Sequence, residues 1–361
     1  MAGDEIIALT TPGGKRFLDF NSQLMCVNTA TAIRARMPRY PVRTAVSDVP
    51  LPSTPLITVI TPAFNAERFI AEAIESVLSQ TLEDFEYLIV DDGSADRTAT
   101  IAEEYAARHP RVSVLSRQVN AGSYQARNEG LERARGRYVA FLDADDTWEP
   151  SFLSTTFQEM TKSSDVGAVF SWSVNVGEDA GGRVWAPRGG NYDFYALFRG
   201  ICPPGNGSCL LIDARCFSEV GRFLTTLRVG ADSEMWLRIS SKCSPPLRRF
   251  RCLPHVLVNR RITSTSLSAD FFTESRLAAW TYRLDTYLGY LSREQQFDVW
   301  YAHFLEVGLS GNGECSDWLD HWKRKARDAY PDQFLRRRWK WFLLSLVPAG
   351  LLVPMVRRFR R

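Results

Sequence analysis

Residues 138–146 read Tyr-Val-Ala-Phe-Leu-Asp-Ala-Asp-Asp. An apolar run suited to a buried strand ends abruptly in three carboxylates, Asp143, Asp145 and Asp146. Open α/β sheets bind their ligands at the carboxyl ends of the strands. Asp143 and Asp145 are two positions apart, so in a regular strand both face the same way. Two or three anionic oxygens converging there suit a hard divalent cation, Mg²⁺ or Mn²⁺, of the kind that accompanies a substrate diphosphate. The competing reading is an acidic turn that stops the strand and starts the next helix, and this segment alone leaves both readings open.

Upstream, short apolar runs alternate with helical periodicity. Leu56–Ile60 is a β-branched run that predicts a strand, and residues 67–80 place Phe69, Ile70, Ala73, Ile74, Val77 and Leu78 on one helical face. Tyr87–Val90 predicts a second strand and 96–108 a second helix, with Pro110 just past its end. Val112–Leu115 predicts a third strand, and 123–135 a third helix closed by Gly136. Strands alternating with helices in this way predict a mainly parallel sheet with right-handed crossovers. Downstream, 151–162 reads as a helix and Gly167–Trp172 as a strand, followed by a loop-rich stretch over 173–200. Ser208–Ile212 reads as another strand, Ser233–Ser241 as a helix, and 271–330 as helices rich in aromatics.

The bulk properties narrow the class. A chain of 361 residues with 45% hydrophobic and 24% charged content has room for a sizeable core. Its net charge of +3 gives no ground for a nucleic-acid partner, and four scattered histidines disfavour a histidine-based metal site. Seven cysteines without a C-x-x-C pair predict reduced thiols in a cytoplasmic setting. Met1-Ala-Gly-Asp-Glu has neither the basic start nor the apolar stretch of a signal peptide.

Both ends differ from the middle. Residues 1–54 lack periodicity and close on Pro41, Pro50 and Pro52, which predicts an extension and linker. Arg336-Arg337-Arg338-Trp339-Lys340-Trp341 precedes an uncharged stretch of 15 residues, Phe342–Val356, and Arg357-Arg358-Phe359-Arg360-Arg361 follows it. That stretch falls short of the ~20 residues a spanning helix needs. Flanking tryptophans and cations predict attachment to the membrane surface, peripheral and on the cytoplasmic face; a C-terminal helix docked on the body is the alternative.

Four segments now stand at the ends of successive strands: Thr61-Pro62-Ala63-Phe64-Asn65, Asp91-Asp92-Gly93-Ser94, Asn120-Ala121-Gly122 leading to Ala126-Arg127-Asn128, and Asp143-Ala144-Asp145-Asp146. In order and spacing they resemble the family-two glycosyltransferases over about residues 56–270. The resemblance implies the GT-A fold, a Rossmann-like, mainly parallel α/β sheet flanked by helices. The chain then divides into 1–54, a catalytic domain 55–270, a helical C-terminal region 271–335 and the tail 336–361. It also implies an inverting, metal-dependent enzyme that moves a sugar from a nucleotide-diphospho-sugar, a UDP-sugar above all, to an acceptor hydroxyl; the membrane-seeking tail suggests that the acceptor is a glycan of a membrane-bound pathway or lipid-linked.

By the same resemblance, Pro62, Phe64 and Asn65 shape a loop that walls the base, with Glu67 nearby. Asp92 accepts a hydrogen bond from the base; the bland reading of its segment is a turn and helix cap. Arg127 reaches toward sugar or diphosphate, or forms a surface ion pair. Asp145 holds the metal directly and Asp143 contacts the ribose or the metal shell, while Asp146 supports them or caps a helix. Residues 229–239, Val-Gly-Ala-Asp-Ser-Glu-Met-Trp-Leu-Arg-Ile, resemble the family's segment that carries the catalytic base, which implies Asp232, with Glu234 competing. The chain departs at Ala231, where the family has Glu. Pro204-Gly205-Asn206-Gly207-Ser208 matches a loop that borders donor sugar and acceptor. Arg261 corresponds to a residue that grips the diphosphate, and Thr263 replaces the family's His. These two departures keep alive a catalytically impaired sugar-nucleotide-binding protein. A sugar nucleotidyltransferase is disfavoured, because Pro62-Ala63-Phe64-Asn65 stands where that class wants a Gly-rich, basic loop.

Overall fold

The computed structural model describes residues 54–310 apart from 163–165, 178–181, 188, 201–203, 205, 246 and 264–273, together with residue 324. The expectations for residues 1–53, for 311–335 and for the basic tail 336–361 fall outside the described residues.

The chain opens as alternating strands and helices: β1 (Ile57–Ala63), α1 (Ile70–Leu78), β2 (Phe85–Asp91), α2 (Thr98–Ala106), β3 (Val112–Ser116), α3 (Ser123–Arg133) and β4 (Tyr138–Phe141). There follow β5 (Thr147–Trp148), α4 (Phe152–Lys162), β6 (Val166–Val176), β7 (Val184–Trp185), β8 (Gly190–Tyr192) and α5 (Phe194–Phe198). After a 3₁₀ turn at Gly207–Cys209 come β9 (Leu210–Asp213), α6 (Arg215–Val220), α7 (Ala231–Lys242), β10 (Arg249–Arg261), α8 (Glu274–Tyr287) and α9 (Arg293–Ser310).

One sheet runs in the order β3-β2-β1-β4-β9-β6-β10-β5, with β7 beside β6 and β8 beside β10. β3, β2, β1 and β4 are mutually parallel. β9 runs antiparallel to both β4 and β6, which reverses the direction at the centre of the sheet. The chain moves outward from β1 to β3 and then returns to β4 on the other side of β1. That reversal puts a crevice at the carboxyl ends of β1 and β4, the place where such sheets hold ligands.

The strands β1 and β2 are buried at all seven positions each. A parallel sheet covered on both faces demands this continuous apolarity rather than alternation. Helix α1 turns Ile70, Ala73, Ile74 and Val77 inward. Helix α3 comes so close to β1 that a Cβ on Gly130 would lie 2.5 Å from Ile60 Cγ2. At the amino ends of the strands, Glu86 is buried but fully engaged: Thr58 donates to it at 2.7 Å, and the Arg135 backbone N–H and Nε each donate at 2.8 Å.

Three elements depart from the sequence reading. Strand β1 runs to Ala63, so Pro62 lies in a strand rather than in a loop. Pairing of β1 with β4 ends at Ile60, so the N–H that proline lacks costs no ladder bond on that side. The stretch 173–200, expected to be loop-rich, carries the end of β6, both short strands β7 and β8, and α5. The 13-residue β10 has no strand signal in the sequence, because its basic residues and Pro254 break the apolar pattern. Its pairing with β6 shifts register between Leu253 and Val256, around that proline.

Candidate active site

The loops after β1 and β2 are stitched together. Asn65 sits at φ 48, a left-handed conformation that asparagine tolerates. Its N–H donates to Ser94 Oγ, and its Oδ1 accepts from the Ala95 N–H, both at 2.9 Å. Glu67 accepts from the Arg97 N–H, while its own N–H donates to Asp96, each at 3.1 Å. Its carboxylate is thus engaged at the start of α2. Phe64 projects beside these loops, 48% exposed.

Asp92 is buried and heavily bonded. It accepts from the Gly122 N–H at 2.7 Å and the Ala121 N–H at 3.1 Å, and it pairs with Arg117 Nε at 3.2 Å. It therefore holds the loop that enters α3. Beside it, Arg117 Nη1 is buried and faces Glu129 at 3.7 Å without a hydrogen bond, and Asp91 Oδ1 has no hydrogen-bond partner among the described residues. A donor and an acceptor with hydrogen-bonding capacity left are what a ligand with complementary edges would satisfy. Arg117 was not singled out from the sequence, since a lone arginine after a strand matches no motif.

The three aspartates after β4 have different surroundings. Asp143 takes Arg127 Nη2, and its N–H donates to Ser208 Oγ at 3.0 Å. Asp146 is fully buried. It accepts from Asn206 Nδ2 at 2.6 Å, from Ser208 Oγ at 2.7 Å and from the Arg261 N–H at 2.9 Å. Burial, with Asp143 and Asp145 adding to it, pushes its pKa up to about 8. Asp146 thus ties the Asn206–Ser208 loop and the end of β10 to the aspartate turn. The Asp145 carboxylate accepts no hydrogen bond from another residue's side chain among the described residues. Burial and the neighbouring Asp143 push it up to about 6. A carboxylate free of hydrogen-bond donors beside a second one, as Asp145 is beside Asp143, suits a cation. No three His, Cys, Asp or Glu side chains form a closed metal cage among the described residues. An all-oxygen site of one or two carboxylates fits Mg²⁺ or Mn²⁺, which draw their remaining ligands from phosphate and water.

Arg127 is buried rather than on the surface. Its guanidinium lies over the rings of Tyr124, 5.3 Å from the centroid, and Phe223, 6.0 Å. Burial works against its charge, but Asp143, Tyr124 and Asp232 together more than offset this and its pKa is raised. It reaches the cleft through Asp143. Arg261 stands at the rim: Nε donates to the Asp145 carbonyl at 3.1 Å, Nη2 pairs with Glu72, and the guanidinium stacks 4.6 Å from the Phe69 centroid.

On the opposite wall, α7 begins after Gly230, which adopts φ 80, and carries Asp232 and Glu234 in its first turn. Their environments separate them. Glu234 is 1% exposed, and Arg238 donates to both of its oxygens, at 3.1 and 2.7 Å, while Tyr287 Oη donates at 2.5 Å. Arg238 also binds the carbonyls of Val220 and Arg222 at 2.8 Å each. Glu234 thereby pins α7 to α8. Asp232 remains half-buried, with Tyr124 Oη 3.5 Å from its Oδ1.

A strand-end crevice, an acidic turn and a facing helical carboxylate are the plan of a GT-A glycosyltransferase, and comparisons with known proteins agree. The model for glycosyl transferase family 2 matches residues 58–221. A Bacillus subtilis (strain 168) protein named as a teichuronic acid biosynthesis glycosyltransferase, TuaG, is 34% identical over 220 residues, covering 60% of this chain and 84% of that one. The structure of S. aureus TarS residues 1–349 superposes with a TM-score of 0.60 at 17% identity, over 84% of this chain and 91% of that one. The mannosyltransferase PcManGT of Pyrobaculum calidifontis, solved with GDP-Man and Mn²⁺, superposes with a TM-score of 0.53 at 20% identity, over 89% and 84%. At such identities the two structures establish the fold. The chain belongs to glycosyl transferase family 2, and it is a glycosyltransferase.

Proposed function

We propose that the protein is an inverting, metal-dependent transferase that moves a sugar from a nucleotide-diphospho-sugar to a hydroxyl of a glycan or lipid-linked acceptor. The observation that carries this reading is the pair of Asp145, whose carboxylate accepts no side-chain hydrogen bond among the described residues, in the turn after β4, and Asp232, in no ion pair among the described residues, at the start of α7. The nucleotide base occupies the region between Phe64 and Asp92, where Arg117 Nη1 and Asp91 Oδ1 make no hydrogen bond among the described residues. Arg261 and the aspartate turn receive the diphosphate. A divalent cation held by Asp145 and Asp143 would supply charge stabilisation to the departing diphosphate. Asp232 accepts the proton of the acceptor hydroxyl as it attacks the anomeric carbon from the far side, so one displacement inverts that centre. Glu234 is excluded as the base, because its oxygens are already occupied by Arg238 and Tyr287. Complexes of GDP-Man and Mn²⁺ with PcManGT support the donor class and the ion.

The test is a screen of UDP-glucose, UDP-N-acetylglucosamine and GDP-mannose with Mn²⁺, following nucleoside diphosphate release by the wild type, Asp145→Ala and Asp232→Asn. The reading expects release by each variant to fall about 10²-fold or more below the wild type, and equal rates in all three sink it. The basic, tryptophan-flanked segment 336–361 adds attachment to anionic membranes at the cytoplasmic face. No helix among the described residues is long and apolar enough to cross a bilayer. Removing 336–361 is expected to release the protein from sedimenting vesicles; continued sedimentation would overturn the attachment.

A further inference from the structure

Helix α3 places Tyr124 and Arg127 three residues apart, hence on one face. The Tyr124 ring stacks on Phe223 with centroids 5.8 Å apart and planes at 25°, and Arg127 packs against both rings. These contacts leave the phenol little freedom. Its hydroxyl meets the first turn of α7, with Oη 3.5 Å from Asp232 Oδ1, and the Asp232 backbone N–H also faces the phenol oxygen. Burial first, then the Asp232 charge, raises the Tyr124 pKa, so the phenol keeps its proton and has it to donate. The same Oδ1 accepts from the Ser233 N–H at 2.7 Å. Two donors thus converge on one oxygen of Asp232, while Oδ2 accepts from no other residue among the described ones.

We infer that Tyr124 is a positioning residue for the transfer step: by holding Asp232 Oδ1, it presents Oδ2 to the attacking hydroxyl. The inference rests on Asp232 as the base. It explains why a large aromatic stands at this point of α3. A contact of 3.5 Å is of the kind that shortens once substrate binds. The ring does a second job through its face, because it backs the guanidinium that pairs with Asp143. The hydroxyl serves the acceptor side and the ring the donor side, and the two can be removed separately.

The full chain, with Mn²⁺ and the sugar nucleotide that gives the fastest release with water as acceptor, provides the assay. Tyr124→Phe is expected to lower kcat about tenfold while donor KM stays within about twofold, because one bond to a charged group is lost and the stacking is kept. Its melting temperature is expected to match the wild type. Tyr124→Ala, which also removes the ring, is expected to raise donor KM as well. In an Asp232→Asn background, Tyr124→Phe is expected to cost nothing further, since it acts through Asp232. A wild-type rate for Tyr124→Phe beside a slow Asp232→Asn would overturn the inference and leave the base in place. So would losses that multiply in the double variant. A wild-type rate for Asp232→Asn would overturn the base reading and this inference with it.

Discussion

Four parallel strands, all within residues 57–141, deliver the donor side of the cleft, and each turn there is bonded to the next: Asn65 to Ser94 and Ala95, Asp92 to Ala121 and Gly122. The acceptor side draws its parts from far along the chain. Asp232 begins α7, Tyr124 comes from α3, the Asn206–Ser208 loop precedes β9, and Tyr287 reaches Glu234 from 53 residues away. Many donor-side carboxylates are satisfied by neighbouring backbone amides, so the loops themselves keep the charges in place. The acceptor side is held by one buried network, Tyr287–Glu234–Arg238. Chemistry and stability are therefore separable on the donor side, whereas on the acceptor side they meet within a single helical turn.

That contrast can be broken or sharpened by substitution. Asp145→Ala is expected to reduce kcat/KM for nucleoside diphosphate release by about 10³-fold or more, with the melting curve unchanged. Unaltered kinetics would move the cation away from the turn. Asp232→Asn is expected to cost about 10²–10³-fold, carried by kcat rather than by donor KM. A loss confined to KM would make Asp232 a binding group. On the same helix Glu234→Ala should act on stability: an uncompensated buried Arg238 costs about 3 kcal/mol, read from urea denaturation. Glu234→Gln should cost less and retain transfer, whereas loss of transfer at full stability would restore Glu234 as the base. The smallest effect is expected on the donor floor. Arg117→Met should raise donor KM about tenfold with kcat within about twofold, measured with the same sugar nucleotide, because it deletes the bond proposed to the base and none to the reacting atoms.

The parallel half of the sheet was legible because its signals are local. Apolar runs named β1 to β4, helical spacing named α1 to α3, and the acidic turn declared itself at residue 143. Four matching strand ends raised each weak motif to a family assignment that the comparisons bear out. The later part was harder to read. Strand β10 is a 13-residue strand hidden by its basic residues and a proline, and only its neighbours β6, β8 and β5 make it one. Arg117 and Tyr124 carry no signal of their own either, since their roles arise from which groups face them.

The sequence by itself determined the alternation of strands and helices, the strand ends that make the crevice, and the residue types able to hold a diphosphate and a cation. Hydrophobic periodicity and turn chemistry are written within a few residues of each other, so they survive without a fold. The tertiary structure alone decided between chemically equivalent carboxylates. Asp232 and Glu234 are two positions apart, yet only Glu234 was claimed by Arg238 and Tyr287. Asp145 and Asp146 are adjacent, yet only Asp146 was buried against Ser208 and Asn206. Burial and partners set what a carboxylate can do, and both come from residues distant in the chain.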